Sequence, residues 1–220
     1  MPAHAVDRQV RIPVGSVQLD GTLRIPNGAR AIVVFAHGSG SGRHSPRNRY
    51  VADVLRTAGL ATLLVDLLTQ DEDVIDQATA ELRFDIDLLA ERLGGVTDWL
   101  AAQGTTAALP IGYFGASTGA AAALIAAVDR PETVRAIVSR GGRPDLALPV
   151  LARIRQPTLL IVGGADEVVI DLNRRALAEL GGIKRLVIVP GATHLFEEPG
   201  ALEQVAALAS QWFGQYLELR

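Results

Sequence analysis

Gly115-Ala116-Ser117-Thr118-Gly119 is the segment whose residue types and flanks would make a serine chemically unusual. It follows the apolar run 110–114 directly and precedes the small-residue stretch 120–128, which gives a strand, a sharp turn and a helix around G-x-S-x-G. A serine on such a turn is held in a strained backbone conformation, and bulky neighbours would clash with the strand and the helix. The helix start also aims backbone N–H groups and a positive dipole end at any oxyanion formed there. A bare G-x-S-x-G is often a chance turn; the flanks make Ser117 an expected nucleophile.

A serine hydroxyl needs a base, and the base needs an orienting carboxylate. Asp166 follows the apolar run 158–162 through Gly163-Gly164-Ala165, and His194 follows the run 185–189 through Pro190-Gly191-Ala192-Thr193. Both stand where the carboxyl ends of strands open onto the crevice of an α/β sheet. Asp166 also suits a helix N-cap, so Asp171 and Asp145 remain rival acids. Among the other histidines, His4 lies in the N-terminal tail, and His37 and His44 precede the serine, against the order Ser, Asp, His.

The loop His37-Gly38-Ser39-Gly40-Ser41-Gly42 is too rich in glycine to be only a connector. It is expected to supply a second oxyanion N–H from Ser39, beside that of Thr118, with His37 bracing the loop. The same glycines, with Asp66 ending the next apolar run, faintly resemble a dinucleotide-binding fingerprint. The register fails, because the third glycine would fall at Arg43 or Ser45. Four arginines are expected to border the crevice as binding groups for an anionic substrate: Arg43 after the glycine loop, Arg140 and Arg143 after the run 134–138, and Arg83 at a helix start. The competing expectation is that they are solvated or pair with Asp145 and Asp85.

Positioning these residues requires a sheet. Apolar runs at 31–36, 61–67, 110–114, 134–138, 158–162 and 185–189 are too short for helices and apolar throughout, as doubly covered parallel strands are. Two opening runs, 10–19 and 22–25, meet at Asp20-Gly21, which predicts an antiparallel hairpin and a total of eight strands. Leu82, Ile86, Leu89, Leu93, Val96 and Leu100 predict one amphipathic helix, and Leu202, Val205, Leu208, Trp212, Phe213 and Tyr216 a closing one. The connection 139–156 is the one place for a cap, and its shortness predicts an open site.

The 220 residues are expected to form a single domain, 1–220, with a mostly parallel twisted sheet and helices on both faces. A net charge of −3 speaks against a nucleic-acid partner, and no apolar run approaches the ~20 residues of a membrane span. Absence of cysteine excludes disulfides and a thiol nucleophile, and it fits a cytoplasmic protein. The first eleven residues lack the apolar core of a secretory signal.

With the elbow, the His37-Gly38 loop, Gly163-Gly164-Ala165-Asp166 and Gly191-Ala192-Thr193-His194 in place, the chain resembles the dienelactone hydrolase-like branch of the α/β-hydrolase superfamily over nearly its full length. In pattern it is also similar to lidless hydrolase domains that some proteins join to a phosphoribosyltransferase domain. The resemblance implies an uncapped α/β-hydrolase fold, hydrolysis of small carboxylic esters or lactones, and no metal or organic cofactor. True dienelactone hydrolases use cysteine where this chain has Ser117, which favours a general carboxylesterase. Acyl transfer or perhydrolysis on the same residues is the runner-up expectation, and a non-catalytic binding protein a remote one. A monomer or small homo-oligomer is expected.

Overall fold

The computed structural model describes residues 6–217. Its first two strands, β1 (Val6–Val14) and β2 (Val17–Ile25), bury alternate residues and pair antiparallel. The turn between them is Gly15-Ser16, which corrects the expectation of Asp20-Gly21. Gly15 takes the positive φ of +55° that the tight connection requires. Asp20 and Gly21 lie inside β2, opposite Arg11 and Val10. Gly21 is there for closeness: a Cβ would stand 3.1 Å from side-chain carbons of Leu63 and Val10.

Six further strands follow: β3 (Ile32–Ala36), β4 (Ala61–Val65), β5 (Ile111–Ala116), β6 (Val134–Arg140), β7 (Thr158–Gly163) and β8 (Lys184–Val189). They pair in parallel, β2 joins β4 antiparallel, and the sheet runs β1-β2-β4-β3-β5-β6-β7-β8. Every residue of β3, β4, β5 and β7 is buried, which is why these runs read as uninterrupted apolar sequence. The chain leaves β3 for β4 on one side and later enters β5 on the other. The crevice of such a switch point opens between the carboxyl ends of β3 and β5.

Helices α1 (Pro46–Thr57), α2 (Gln70–Thr79), α3 (Ile86–Ala102), α4 (Thr118–Val128), α5 (Glu167–Glu179) and α6 (Ala201–Tyr216) connect and cover the strands. On one face, Val51 and Leu55 of α1 and Val205 and Phe213 of α6 cluster with Phe35, Phe114 and Val138. On the other, Leu93 and Val96 of α3 and Leu124 of α4 cluster with Val34, Tyr113 and Ile137. Each such side chain contributes about 1.5–3 kcal/mol by leaving water, so the two layers fix the strand ends that carry the site.

Two boundaries differ from the periodicity. The helix expected from Leu82 begins at Ile86, because Leu82–Phe84 forms a separate 3-10 turn and the Asp85 carboxylate accepts the Leu88 N–H at 3.0 Å as an N-cap. After β6, Pro144–Arg153 forms a 3-10 segment that packs on α4 and α5, so no cap lies over the crevice there. Among the described residues, no helix is long and apolar enough to cross a membrane.

Candidate active site

Ser117 joins β5 to α4 with φ +50° and ψ −121°, a conformation that costs a non-glycine residue roughly 1–3 kcal/mol. The flanking glycines allow it. A Cβ on Gly119 would run into the carbonyl oxygens of Ala36 and His37, and one on Gly115 into the backbone of Ala120. α4 itself is almost all alanine and buried along most of its length, so it passes close beneath β3 and β5. Gly119→Ala is therefore expected to destabilise the fold by about 2 kcal/mol or more, because the clash is with backbone that cannot step aside. Urea denaturation checks this, and a variant as stable as the parent contradicts it.

The backbone around Ser117 is tied on several sides. Its N–H donates to the Arg140 carbonyl at 3.2 Å, and its own carbonyl accepts from Arg143 N–H and Ala120 N–H, each at 3.1 Å. Gly141, next to Arg140, faces the opposite way: a Cβ there would lie 3.4 Å from His194 Cε1. The 140–143 segment thus touches both the serine and the histidine.

His194 Nδ1 lies 2.6 Å from Asp166 Oδ2, with the carboxyl largely enclosed and the ring 40% exposed. An Nδ1–H donated to this carboxylate leaves Nε2 as the ring's proton acceptor. Asp166 stands at the N-terminus of α5 but makes no capping bond with its side chain, which is committed to the histidine. The two loops are sewn together by Ala165 N–H to Ala192 O at 2.9 Å and Gly164 N–H to Val189 O at 2.8 Å. The turn carrying His194 is stiffened by Glu198, which accepts from the Thr193 hydroxyl at 2.7 Å and the Thr193 N–H at 3.0 Å. Those bonds hold the Glu198 carboxyl below its usual range.

The rival acids are engaged elsewhere. Asp171 meets Arg174 at 3.4 Å on the surface of α5, and Asp145 holds Arg143 through two bonds of 2.9 and 2.7 Å. His4 lies outside the described residues, and His44 is exposed on the loop before α1.

The glycine loop lies flush against the elbow, since a Cβ on Gly38 would be 2.9 Å from Ser117 Cβ. Ser39 Oγ and Thr118 Oγ1 are 3.1 Å apart, which brings the two residues expected to carry the oxyanion amides together. Buried His37 donates from Nδ1 to Gly38 O at 3.0 Å and accepts the Leu67 N–H on Nε2 at 3.0 Å, bracing the loop to the end of β4. Asp66 accepts from Arg43 N–H at 2.6 Å and from the Arg43 guanidinium, so the carboxylate that a nucleotide would need is used to pin the same loop.

Burial pushes the His37 pKa below the ordinary 6.5, partly opposed by the Gly38 bond and by Asp66 and Asp73. Below pH 6.5 the unfolded chain takes up a proton that folded His37 resists, so stability falls as pH drops from 6.5 toward the lowered value, by up to ~1.4 kcal/mol per pH unit. His37→Gln is expected to lose this extra acid sensitivity. Denaturation curves of both proteins at pH 7, 6 and 5 check it, and identical slopes contradict it.

Of the four arginines expected at the crevice, three are held by carboxylates: Arg43 by Asp66, Arg143 by Asp145, and Arg83 by Asp76, at 2.6 Å from Nε to Oδ2. Asp85 is an N-cap and takes no part. Arg140 is buried, with its guanidinium over the Phe196 ring, Cζ 5.9 Å from the centroid. A polar cleft of about 980 Å³ beside Ser39 is lined by Asp20, Arg43, Arg47, Asp66, Asp73 and Arg83 among others. Its α2 wall was not anticipated from the sequence. The signal was present as Thr69-x-x-Glu72, which forms a capping box with bonds of 3.2 and 2.7 Å. Among the described residues, no cluster of three or more His, Cys, Asp or Glu side chains is placed to hold a metal ion.

A β-sheet of this order, with an elbow after β5 and paired loops after β7 and β8, is the α/β-hydrolase fold. The profile of the dienelactone hydrolase family matches residues 19–218, and the chain belongs to that family. The crystal structure of dienelactone hydrolase from Anabaena variabilis superposes with a TM-score of 0.96 at 63% identity, covering 97% of this chain and 99% of that one. Est1E from Butyrivibrio proteoclasticus shares the fold, with a TM-score of 0.76 at 17% identity over 94% and 98% of the two chains. A Mycobacterium tuberculosis protein whose name provisionally describes a phosphoribosyl transferase is 61% identical over 211 residues, which are 96% of this chain and 47% of that one. The chain spans about half the length of such curated relatives.

Proposed function

We propose that this hydrolase-family chain cleaves small carboxylic esters or lactones through an acyl-enzyme, with Ser117 as nucleophile, His194 as general base and Asp166 as the group that orients the histidine. The observation that carries the reading is the 2.6 Å bond between Asp166 and His194, together with the 140–143 segment that touches both this histidine and a serine held at positive φ. Ser117 Oγ attacks the acyl carbon as its proton passes to His194 Nε2, and Asp166 stabilises the imidazolium that forms. The oxyanion of the tetrahedral intermediate accepts hydrogen bonds from the Ser39 and Thr118 amides; one such donor is worth about 2.7–4 kcal/mol in a hydrolase of this kind. Collapse expels the alcohol, which takes the proton from His194. Water then repeats the sequence on the acyl-serine and releases the acid.

The family supports a small-molecule substrate, and the name of the Anabaena relative supports including lactones. A serine in place of a thiol supports simple esters. Turnover of p-nitrophenyl esters of increasing chain length, assayed beside simple lactones, tests the reading. Hydrolysis of at least one class is expected, and inertness toward all of them overturns it.

A further inference from the structure

The buried side of α5 presents Val169, Ile170, Asn173 and Ala176, so one position of an otherwise apolar stripe carries an amide. Asparagine is a weak helix former, and an amide taken out of water is unfavourable unless it is hydrogen-bonded. Asn173 is fully buried, and its Nδ2 donates to two carbonyls, that of Gly142 at 2.9 Å and that of Val169 at 2.8 Å. Its Oδ1 is enclosed with no hydrogen-bond partner among the described residues. The side chain is therefore kept for its N–H groups, since an apolar residue of the same size would spare the stranded oxygen. The bond to Val169 stays within the helix, whereas the bond to Gly142 leaves it and spans 31 residues of sequence.

Gly142 lies in the segment that joins the serine to the histidine. On one side, the Arg140 carbonyl accepts the Ser117 N–H, and the Arg143 N–H donates to the Ser117 carbonyl. On the other, Gly141 takes a φ of +51° and stands against the His194 ring. Gly142 itself is flush with Ser139 and Ala120, where a Cβ would clash with both side chains. Among the described residues, Asn173 supplies the only side-chain hydrogen bond to the backbone of 140–143. Helix α5 begins at Asp166, so the element that sets the carboxylate also holds, about two turns later, the segment that touches the serine and the histidine.

We propose that Asn173 is a positioning residue: through the Gly142 carbonyl it fixes the 140–143 segment against α5, and so sets Ser117 and His194 relative to the Asp166 carboxylate. Its effect on turnover rests on the serine-hydrolase reading, but the tether itself is measurable without substrate. A misplacement of about 1 Å among reacting groups can cost about a hundredfold in rate. Asn173 touches no reacting atom, so its loss acts on the alignment reached in the transition state and falls on kcat, with KM little changed.

The test compares Asn173→Leu and Asn173→Ser with Gln156→Leu. Leucine fills the volume and removes both bonds. Serine can donate to the Val169 carbonyl within the helix but is too short to reach Gly142, and it serves if the leucine variant does not fold. Gln156→Leu is the control, because Gln156 Nε2 donates to the Ala127 carbonyl at 2.8 Å, a buried bond of the same kind near the far end of α4. Melting curves establish each variant as folded at the assay temperature. Both Asn173 variants are expected to lose about tenfold to a hundredfold in kcat for the best ester, with KM within about threefold, and Gln156→Leu to keep kcat within about threefold. Amide hydrogen exchange of the peptide spanning 140–143, read by mass spectrometry against peptides of β5, is expected to quicken in the Asn173 variants and not in the control. A folded Asn173 variant with parental kcat overturns the proposal. So does a loss carried by KM, or an equal loss of kcat in Gln156→Leu, which is the mark of general loosening. If the parent cleaves no ester, the serine-hydrolase reading fails, and the tether stands or falls on the exchange of 140–143 alone.

Discussion

Ser117→Ala is expected to lower kcat/KM for the best ester by about ten-thousandfold or more, because it removes the atom that forms the acyl-enzyme and leaves only binding and the oxyanion amides. The melting temperature is expected to stay within a few degrees of the parent. Alanine keeps a Cβ at φ +50° and so retains the same backbone strain, while the backbone bonds to Arg140, Arg143 and Ala120 do not involve the side chain. Ser117→Gly separates the two properties. It should be as inactive as the alanine variant but more stable by about 1 kcal/mol, because glycine adopts this conformation without strain. Steady-state kinetics with urea denaturation of the three proteins reads both effects. A Ser117→Ala variant with a large fraction of parental turnover places the nucleophile elsewhere.

Asp166→Asn is expected to cost about a thousandfold to ten-thousandfold in kcat, with the fold intact. An amide offers either a neutral oxygen to His194 Nδ1–H or an NH2 that forces the other tautomer, and neither stabilises the imidazolium. Asp171→Asn, which breaks a surface pair with Arg174, and Asp145→Asn, which loosens Arg143, are expected to stay within about threefold of the parent. The ranking of the three under saturating substrate is the test. A crippled Asp145 or Asp171 variant with a healthy Asp166 variant would put the carboxylate in a different loop.

The elbow is legible because the small residues it requires lie within two residues of the serine: Gly115 is dictated by the start of α4 at Ala120, and Gly119 by the Ala36 and His37 carbonyls at the end of β3. Asp166 and His194 each follow an apolar strand through a glycine turn, Asp166 after the fully buried β7 and His194 after the edge strand β8, buried only at Val189. Asp20-Gly21 carries the composition of a tight turn, yet Gly21 is dictated by the approach of Val10 and Leu63 from neighbouring strands, and the hairpin turns at Gly15-Ser16 instead. Helix α2 buries little beyond Asp76, so no apolar stripe marks it in the sequence. The partners of the arginines were beyond sequence reasoning altogether. Arg43 and Asp66 are 23 residues apart, and only the parallel pairing of β3 with β4 brings their loops together. Arg140, alone of the four without a carboxylate among the described residues, could not be told from Arg143 by position in the chain.

The most direct test of the central claim is covalent trapping with a fluorophosphonate, followed by peptide mass mapping of the intact, active protein. Such a reagent needs a serine activated by its base, so it reports the nucleophile and the histidine together. One adduct per chain is expected, on the peptide containing Ser117, with loss of esterase activity in step with labelling, slow labelling of Asp166→Asn and none of Ser117→Ala. An adduct on any other residue, or full inactivation with Ser117 unmodified, contradicts the account.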